Sequence, residues 1–383
     1  MSTLKVDAIR HNSATSDAIT TAADGTCTAK LTSVNGGQLS HRNIIINGAM
    51  NVSQRGTSFA SLGTGYTVDR FRYTENIDTG VVTVTQESIT DLPGFTKAAK
   101  INCTTAEAGV PSKAGSKFAS FNTKLEGQNL QQLAYGTSSA KQITLSFYVK
   151  SNVTGTFCVS LYKGDQTARN VSLGYTISSA NTWEKKTLTY PADTGGGGID
   201  NDNGSGLEIY WVVARQQGYQ GAASTTWGNN TDARFANLCT ATIFENTNDH
   251  IMFTGVQLEV GDTATSFEHR SYGEELSLCQ RYFYPYLRGT NSYENIALGF
   301  NYNSTTGMVL LEPPVEMRTT PSLTTSGTIA ADDDTSIGFT FEGQGSTRCF
   351  RCNITSHSKT SGQGFQLRAH ATTAAKFELS AEL

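Results

Sequence analysis

The chain has 383 residues, a formal net charge of −4 and only 16% charged residues. No basic cluster is present to neutralise phosphates, which argues against a nucleic-acid partner, and no run approaches the roughly 18 apolar residues of a membrane helix. With 37 glycines, and 15 Tyr, 18 Phe and 3 Trp to fill a core, the composition favours strands joined by tight polar turns.

Residues 1–42 are small and polar, with sparse apolar side chains at Leu4, Val6, Ile9, Ile19 and Leu31. Such a segment cannot bury a core alone, so it is either a flexible leader or an extended piece completed by other chains. Residues 43–270 read as a series of short strands, clearest at 81–85, 143–150, 157–162, 187–190, 207–213 and 253–260. Leu145, Phe147 and Val149 alternate with Ser146, Tyr148 and Lys150, as a sheet with one wet face requires. Strands at this spacing, parted by Gly-, Asn- and Asp-rich loops, predict a jelly-roll β-sandwich. Residues 191–206 are too polar and glycine-rich for a strand and predict a long loop.

Three signals mark the end of that domain. Val256, Leu258 and Val260 alternate with Gln257 and Glu259, the period of a half-buried strand. Gly261-Asp262 supplies a turn. Ser271-Tyr272-Gly273-Glu274 has the spacing of a helix capping box, and Leu276, Cys279 and Phe283 follow at helical spacing. The chain therefore divides into an extended N-terminal segment (1–42), a sandwich (43–270), a short capped helix and junction (271–286) and a smaller C-terminal β domain (287–383). Strands of the last domain are expected at 282–286, 297–300, 308–311, 364–368 and 376–383, with 312–321 extended around its prolines.

Catalytic signatures are missing: there is no G-x-S-x-G elbow, no H-E-x-x-H and no phosphate loop. The chain is expected to be a non-enzyme with no cofactor. Its seven cysteines, an odd number, predict small core residues rather than a disulfide framework. Cys349 and Cys352 have CxxC spacing, but positions i and i+3 of a strand point to opposite faces, so no metal site is expected there. Asp193, Asp200 and Asp202 offer oxygen ligands for calcium, against the simpler reading of a solvated loop; Asp332, Asp333 and Asp334 read as a charged loop tip. Sugar recognition uses an aromatic face flanked by amides, which makes Trp227, Tyr219 and Asn229 the glycan-binding candidates. The competing reading makes Trp227 a loop anchor packed on its own domain. Trp183 and Trp211 lie in strand-like segments and are expected in the core. Tyr282, Phe283, Tyr284 and Tyr286 are expected to seal the domain junction or a subunit interface.

Several of these stretches, in this order, also resemble one family. Gln257-Leu258-Glu259-Val260-Gly261, the run from Phe267 to Leu276, and Leu278-Cys279-Gln280-Arg281-Tyr282-Phe283 resemble the end of the central jelly-roll domain, similar to carbohydrate-binding modules, in bacteriophage tail fibre and minor virion structural proteins. The run from Asn43 to Met50, Gln54-Arg55-Gly56-Thr57-Ser58-Phe59 and Tyr66-Thr67-Val68-Asp69-Arg70-Phe71 are similar to that domain's opening, and the runs from Trp183 to Pro191 and from Asp202 to Leu207 to its central strands. The resemblance spans residues 43–286. It implies a homotrimer in a virion tail, assembled in the host cytoplasm, with residues 1–42 joining other tail or baseplate proteins and a C-terminal tip touching host-surface glycan or lipopolysaccharide. The first residues lack the apolar core of a signal peptide, which suits a virion protein released by lysis and equally a cytosolic protein. Two rival readings stay open: a non-adhesive decorating virion protein, and a secreted carbohydrate-active protein whose jelly roll is its binding module.

Overall fold

The computed structural model describes residues 8–9, 19–21, 23, 27–29, 41–221, 225–342, 346–355 and 360–383. Near the N-terminus, β1 (Ala8–Ile9), β2 (Ile19–Thr21) and β3 (Cys27–Ala29) pair as a three-stranded antiparallel sheet. Most of the expected attachment segment otherwise lies outside the described residues.

The first large domain runs through β4 (Ser58–Ala60), β5 (Gly65–Tyr66), β6 (Phe71–Glu75), β7 (Val81–Ser88), β8 (Lys97–Thr105), β9 (Phe118–Glu126) and β10 (Ile143–Ser151). It continues through β11 (Gly155–Lys163), β12 (Arg169–Ile177), β13 (Glu184–Tyr190), β14 (Ser205–Arg215), β15 (Gly228–Asn229) and β16 (His250–Val260). These form a six-stranded sheet of order β13-β10-β16-β8-β7-β4 and a seven-stranded sheet of order β15-β12-β11-β14-β9-β6-β5, with antiparallel pairing throughout. Strands distant in sequence, such as β10 and β16 or β9 and β14, lie side by side, so the chain crosses repeatedly between sheets, as a jelly roll does.

Alternation puts one residue in two between the sheets, and aromatics dominate that layer. Phe71 stacks on Phe121 at 5.0 Å, and Phe147 meets Trp211 edge-on at 5.9 Å. Such pairs contribute about 0.5–1.5 kcal/mol each beyond their buried area. Trp211 is fully buried. Trp183 is not a core residue: it sits just before β13 on the outer side of the six-stranded sheet, where its Nε1 donates to Asp91 Oδ1 at 3.0 Å. Phe95, Tyr148, Phe267 and Met252 cover the same outer face. Gly255 makes that cover possible. It adopts φ +60° at an irregularity in the pairing of β10 with β16, and a Cβ there would fall 2.8 Å from the Phe95 ring.

Ser271 caps α1 (Tyr272–Gln280) by accepting a hydrogen bond from the Glu274 amide at 3.3 Å. The helix ends at Gln280, so Phe283 is not on its apolar face. The next two side chains are drawn back to the sandwich instead: Arg281 donates two 2.9 Å hydrogen bonds to the Glu126 carboxylate, and the Tyr282 hydroxyl donates to the same group. Phe283 then lies in β17 (Phe283–Pro285).

The second domain continues through β18 (Asn295–Asn301), β19 (Thr306–Leu311), β20 (Ser322–Ser326), β21 (Ile329–Ala331), β22 (Gly338–Glu342), β23 (Phe350–Thr355), β24 (Gly364–Ala369) and β25 (Lys376–Ser380). Its sheets have orders β17-β25-β20 and β21-β24-β18-β19-β23-β22. Leu311, Phe350, Cys352, Leu367, Phe377 and Leu379 form its own dry core.

Loops of the sandwich are fixed by buried carboxylates. Glu107 accepts from the Thr79 and Gly80 amides at 2.6 and 2.8 Å and from Lys113 Nζ at 2.7 Å. Burial alone would raise its pKa, but the lysine and the two amides outweigh it and lower the value to about 2. A depressed carboxylate contributes stability that is complete above its unfolded pKa and is lost as pH falls through the folded one. Glu107→Gln is therefore expected to cost about 1–3 kcal/mol at pH 7. Urea unfolding should show the deficit shrinking from about pH 4.5 toward pH 2, and a deficit independent of pH would contradict this role.

Candidate functional site

The three residues singled out by sequence do not form an open sugar platform. Trp227 is 9% exposed; its Nε1 donates to the Pro191 carbonyl at 2.8 Å and its ring packs edge-on against Tyr135 at 5.6 Å. It is a loop anchor, and the reason is physical: the indole can be buried because its one donor finds a backbone acceptor. Tyr219, 7% exposed, belongs to a different cluster, edge-on to Phe118 at 5.5 Å and against Phe235 at 5.8 Å. Asn229 is exposed on β15, whose backbone pairs with β12.

Phe235 belongs to a segment that crosses the outer face of the seven-stranded sheet. The Ala236 amide donates to Ser160 Oγ at 3.1 Å, and Ser172 Oγ donates to the Arg234 carbonyl at 2.9 Å. Beside that strap, Lys124 and Glu208 close on each other at 3.1 Å, and burial first, then Glu208, pushes the Tyr210 hydroxyl pKa upward.

Asp193 is not available to a calcium ion. It is fully buried, with Lys163 Nζ 2.9 Å from Oδ2 and Arg169 Nε 3.0 Å from Oδ1. Lys163 also donates to the Gly197 carbonyl at 2.6 Å, so two cations and the carboxylate pin the glycine-rich loop. Asp202 turns its Oδ1 onto its own loop, accepting from the Gly204 amide at 2.8 Å, and Asp200 accepts from Gln166 at 3.2 Å. Among the described residues, no group of three or more His, Cys, Asp or Glu is placed to hold a metal.

The surface that departs from ordinary soluble-protein packing lies on the second domain. Leu298 and Tyr302 are 79% and 70% exposed, and Leu310 and Phe300 are 56% and 44% exposed. Leu298 and Phe300 alternate along β18 with Ala297 and Gly299, and Leu310 sits on β19. Phe300 pairs with Met308, Met308 with Asn353 on β23, and Leu310 with Arg351, so these side chains share one face of the six-stranded sheet. The opposite face carries Val309, Leu311, Cys352, Ile354 and Leu367, all at most 1% exposed. Gly299 explains the inversion of large side chains outward. A Cβ on it would fall 2.5 Å from the Phe365 ring, so that ring fills the inner layer where a larger β18 side chain would otherwise stand.

At one end of this face, Tyr302, Asn303, Thr306, Met308, Arg351 and Asn353 line a depression of about 370 Å³. Its loop is preformed. Asn303 Oδ1 accepts from the Thr305 and Thr306 amides at 2.9 and 2.8 Å, and the Tyr302 amide donates to the Thr306 carbonyl at 2.9 Å. Glu342 fixes the far wall by accepting from Asn353 Nδ2 at 2.7 Å and from Arg351. A phenol ring, a thioether, an amide and a guanidinium thus meet in one rigid concavity on a strand scaffold. Such a set of groups can contact a molecule with both apolar CH faces and hydroxyl groups. Sequence reading missed it. The signal present was the Leu298, Gly299, Phe300 alternation, which does not say by itself which side is buried.

No known family profile and no curated protein matches the chain. Solved structures match parts of it at low similarity. The enzymatically active domain of tailspike protein 4 from bacteriophage CBA120 matches 57% of this chain and 21% of that one, at 15% identity and a TM-score of 0.31. This chain thus corresponds to about a fifth of that tailspike chain's length. The family 11 carbohydrate-binding module of a Clostridium thermocellum cellulosomal cellulase matches 56% of this chain and 99% of that one, at 11% identity and a TM-score of 0.27. The C-terminal family 22 carbohydrate-binding module of Clostridium thermocellum xylanase 10B matches 55% and 98%, at 11% identity and 0.28. The chain is a mainly β protein built on a jelly-roll sandwich.

Burial separates the two aromatic sites in a way unfolding experiments can read. Trp227→Ala is expected to lower stability by about 3 kcal/mol or more, because it empties a packed anchor. Tyr302→Ala is expected to stay within about 0.5 kcal/mol of the parent, because its ring faces water. The reverse order in urea midpoints would contradict the assignment of anchor and contact residue.

Proposed function

We propose that this chain is an adhesive virion protein, a tail fibre or related receptor-binding subunit, whose second domain holds host-surface glycan or lipopolysaccharide. The observation that carries the proposal is the row Leu298, Phe300 and Leu310 facing solvent beside the Tyr302 and Arg351 depression. Contiguous exposed apolar surface on a folded domain marks an interaction site, and the polar groups beside it are those that take sugar hydroxyls. The virion assignment rests on the resemblance along residues 43–286. In this reading residues 1–42 join other tail or baseplate proteins, the subunit is a homotrimer, and the chain binds without turning its ligand over. Each tip contact is weak, and three copies sum them into firm attachment.

Binding of the full chain to a glycan array carrying bacterial surface polysaccharides tests this. Tyr302→Ala is expected to weaken the responsive glycan by about tenfold or more, while Asn229→Ala leaves it unchanged. Unchanged binding by Tyr302→Ala would remove the tip face from the proposal, and release of oligosaccharide on incubation would contradict the non-enzymatic part. The mass of the full chain in solution is expected at threefold the monomer value, and a stable monomer would contradict the fibre assignment.

A further inference from the structure

The strap that carries Phe235 passes over a buried thiol of the seven-stranded sheet. It is fastened to β11 at two points: the Ala236 amide donates to Ser160 Oγ at 3.1 Å, and the Thr240 and Ala241 amides both donate to the Thr156 carbonyl at 2.9 Å. Cys158 lies midway between those anchors, and the two-residue period of a strand puts its side chain on the same face as Ser160. Strap residues 237–239 therefore span the position above Cys158.

Two strand partners of Cys158 place the strap more closely. On β12 it pairs with Gly174, where a Cβ would stand 3.5 Å from the Leu238 Cβ, so Leu238 lies over that neighbour. On β14 it pairs with Val212, whose carbonyl oxygen lies 3.6 Å from Cys239 Sγ. A cysteine of the strap thus adjoins the cysteine beneath it. Backbone contacts hold Cys239 there: its amide donates to the Ala236 carbonyl at 3.0 Å, and its carbonyl accepts from Arg215 Nε at 2.6 Å. Both thiols are free and fully buried. Burial, and after it the adjacent Cys239 thiol, push the Cys158 thiol well above its ordinary range. Closed under the strap, the pair is unreactive.

We infer that Cys158 and Cys239 form a thiol–disulfide switch that locks the strap onto the sheet in an oxidising medium and frees it in a reducing one. The chemistry needs a co-reactant, a low-molecular-weight disulfide such as oxidised glutathione. Local opening of the strap uncovers Cys239, whose thiolate attacks the small disulfide, expels one small thiol and is left as a mixed disulfide. When the strap returns, Cys158 attacks Cys239 Sγ and the second small thiol leaves with the Cys158 proton. The chain has then lost two electrons and two protons, and one small disulfide has become two thiols. The buried Arg215 cation favours the Cys158 thiolate that this step requires. Phe235 on the strap packs edge-on against Phe118 and Tyr210, both at 5.1 Å, so the bond decides whether that aromatic cluster stays closed. Both cysteines belong to the sandwich, so the switch stands independently of the adhesive face on the second domain.

The test starts from the reduced full chain, incubated with oxidised glutathione in mildly alkaline buffer and then alkylated in denaturant. Intact mass should show the loss of two hydrogens, and digestion without reduction should yield one peptide joining Cys158 to Cys239. Hydrogen exchange of the amides of residues 236–241 should slow about tenfold or more on oxidation and recover when dithiothreitol is added. Cys239→Ser should give neither the joined peptide nor the slowing, and the parent chain alone supplies the crosslink readout if that variant fails to fold. Full alkylation of both cysteines after oxidation, a glutathione adduct on Cys239 without the crosslink, a bond from either cysteine to a third, or unchanged exchange with the crosslink formed would each overturn the inference.

Discussion

Arg70 is 2% exposed, ion-paired to Glu382 and laid 3.4 Å over the ring of Tyr282. Around it, Arg318 donates to the carbonyls of Ala381, Glu382 and Asn203, and Arg281 clasps Glu126. These contacts join the residues just after β25 and the junction after α1 to the sandwich. Taking such charges out of water is costly, so the network adds little net stability while it is complete. Separating the partners would leave a buried charge uncompensated, and that penalty holds the two domains in one arrangement. That arrangement fixes the sheet carrying Leu298, Phe300 and Leu310 relative to the sandwich.

The strands legible in sequence were those whose pattern follows from burial alone. Residues 143–150 and 207–213 lie within β10 and β14, and the Ser271 cap opens α1 as expected. Other strands hid for definable reasons. β9 carries Asn122 and Ser120 on its outer side, and β12 carries Asn170 and Ser172; all four are buried, so polar side chains stand where burial would predict apolar ones. β18 hid the candidate site because its large residues face water and its small ones face the core, the opposite of the usual arrangement. That inversion depends on Phe365, more than sixty positions away, and no local window contains it. The same limit applies to Trp227 and Asp193. Each has the residue type of a ligand contact, and only long-range partners (Pro191 for one, Lys163 and Arg169 for the other) reveal a structural role.

The molecule thus separates the groups that hold it together from those it leaves uncovered. Aromatic rings and buried charges in the sandwich have their partners within the chain, while the second domain leaves leucine, phenylalanine and tyrosine side chains uncovered on a rigid sheet. A contact surface built on strands holds its groups in place before a ligand arrives, which lowers the ordering cost of each weak contact. In the homotrimer proposed above, repetition of that contact would supply the strength that a shallow depression lacks alone.

The most direct measurement is hydrogen–deuterium exchange of the full chain with and without host envelope polysaccharide. Protection gathered on residues 298–310 and 351–353, with the Trp227 loop unchanged, is the result the account predicts. Protection confined to the sandwich, or no protection at saturating polysaccharide, would contradict it.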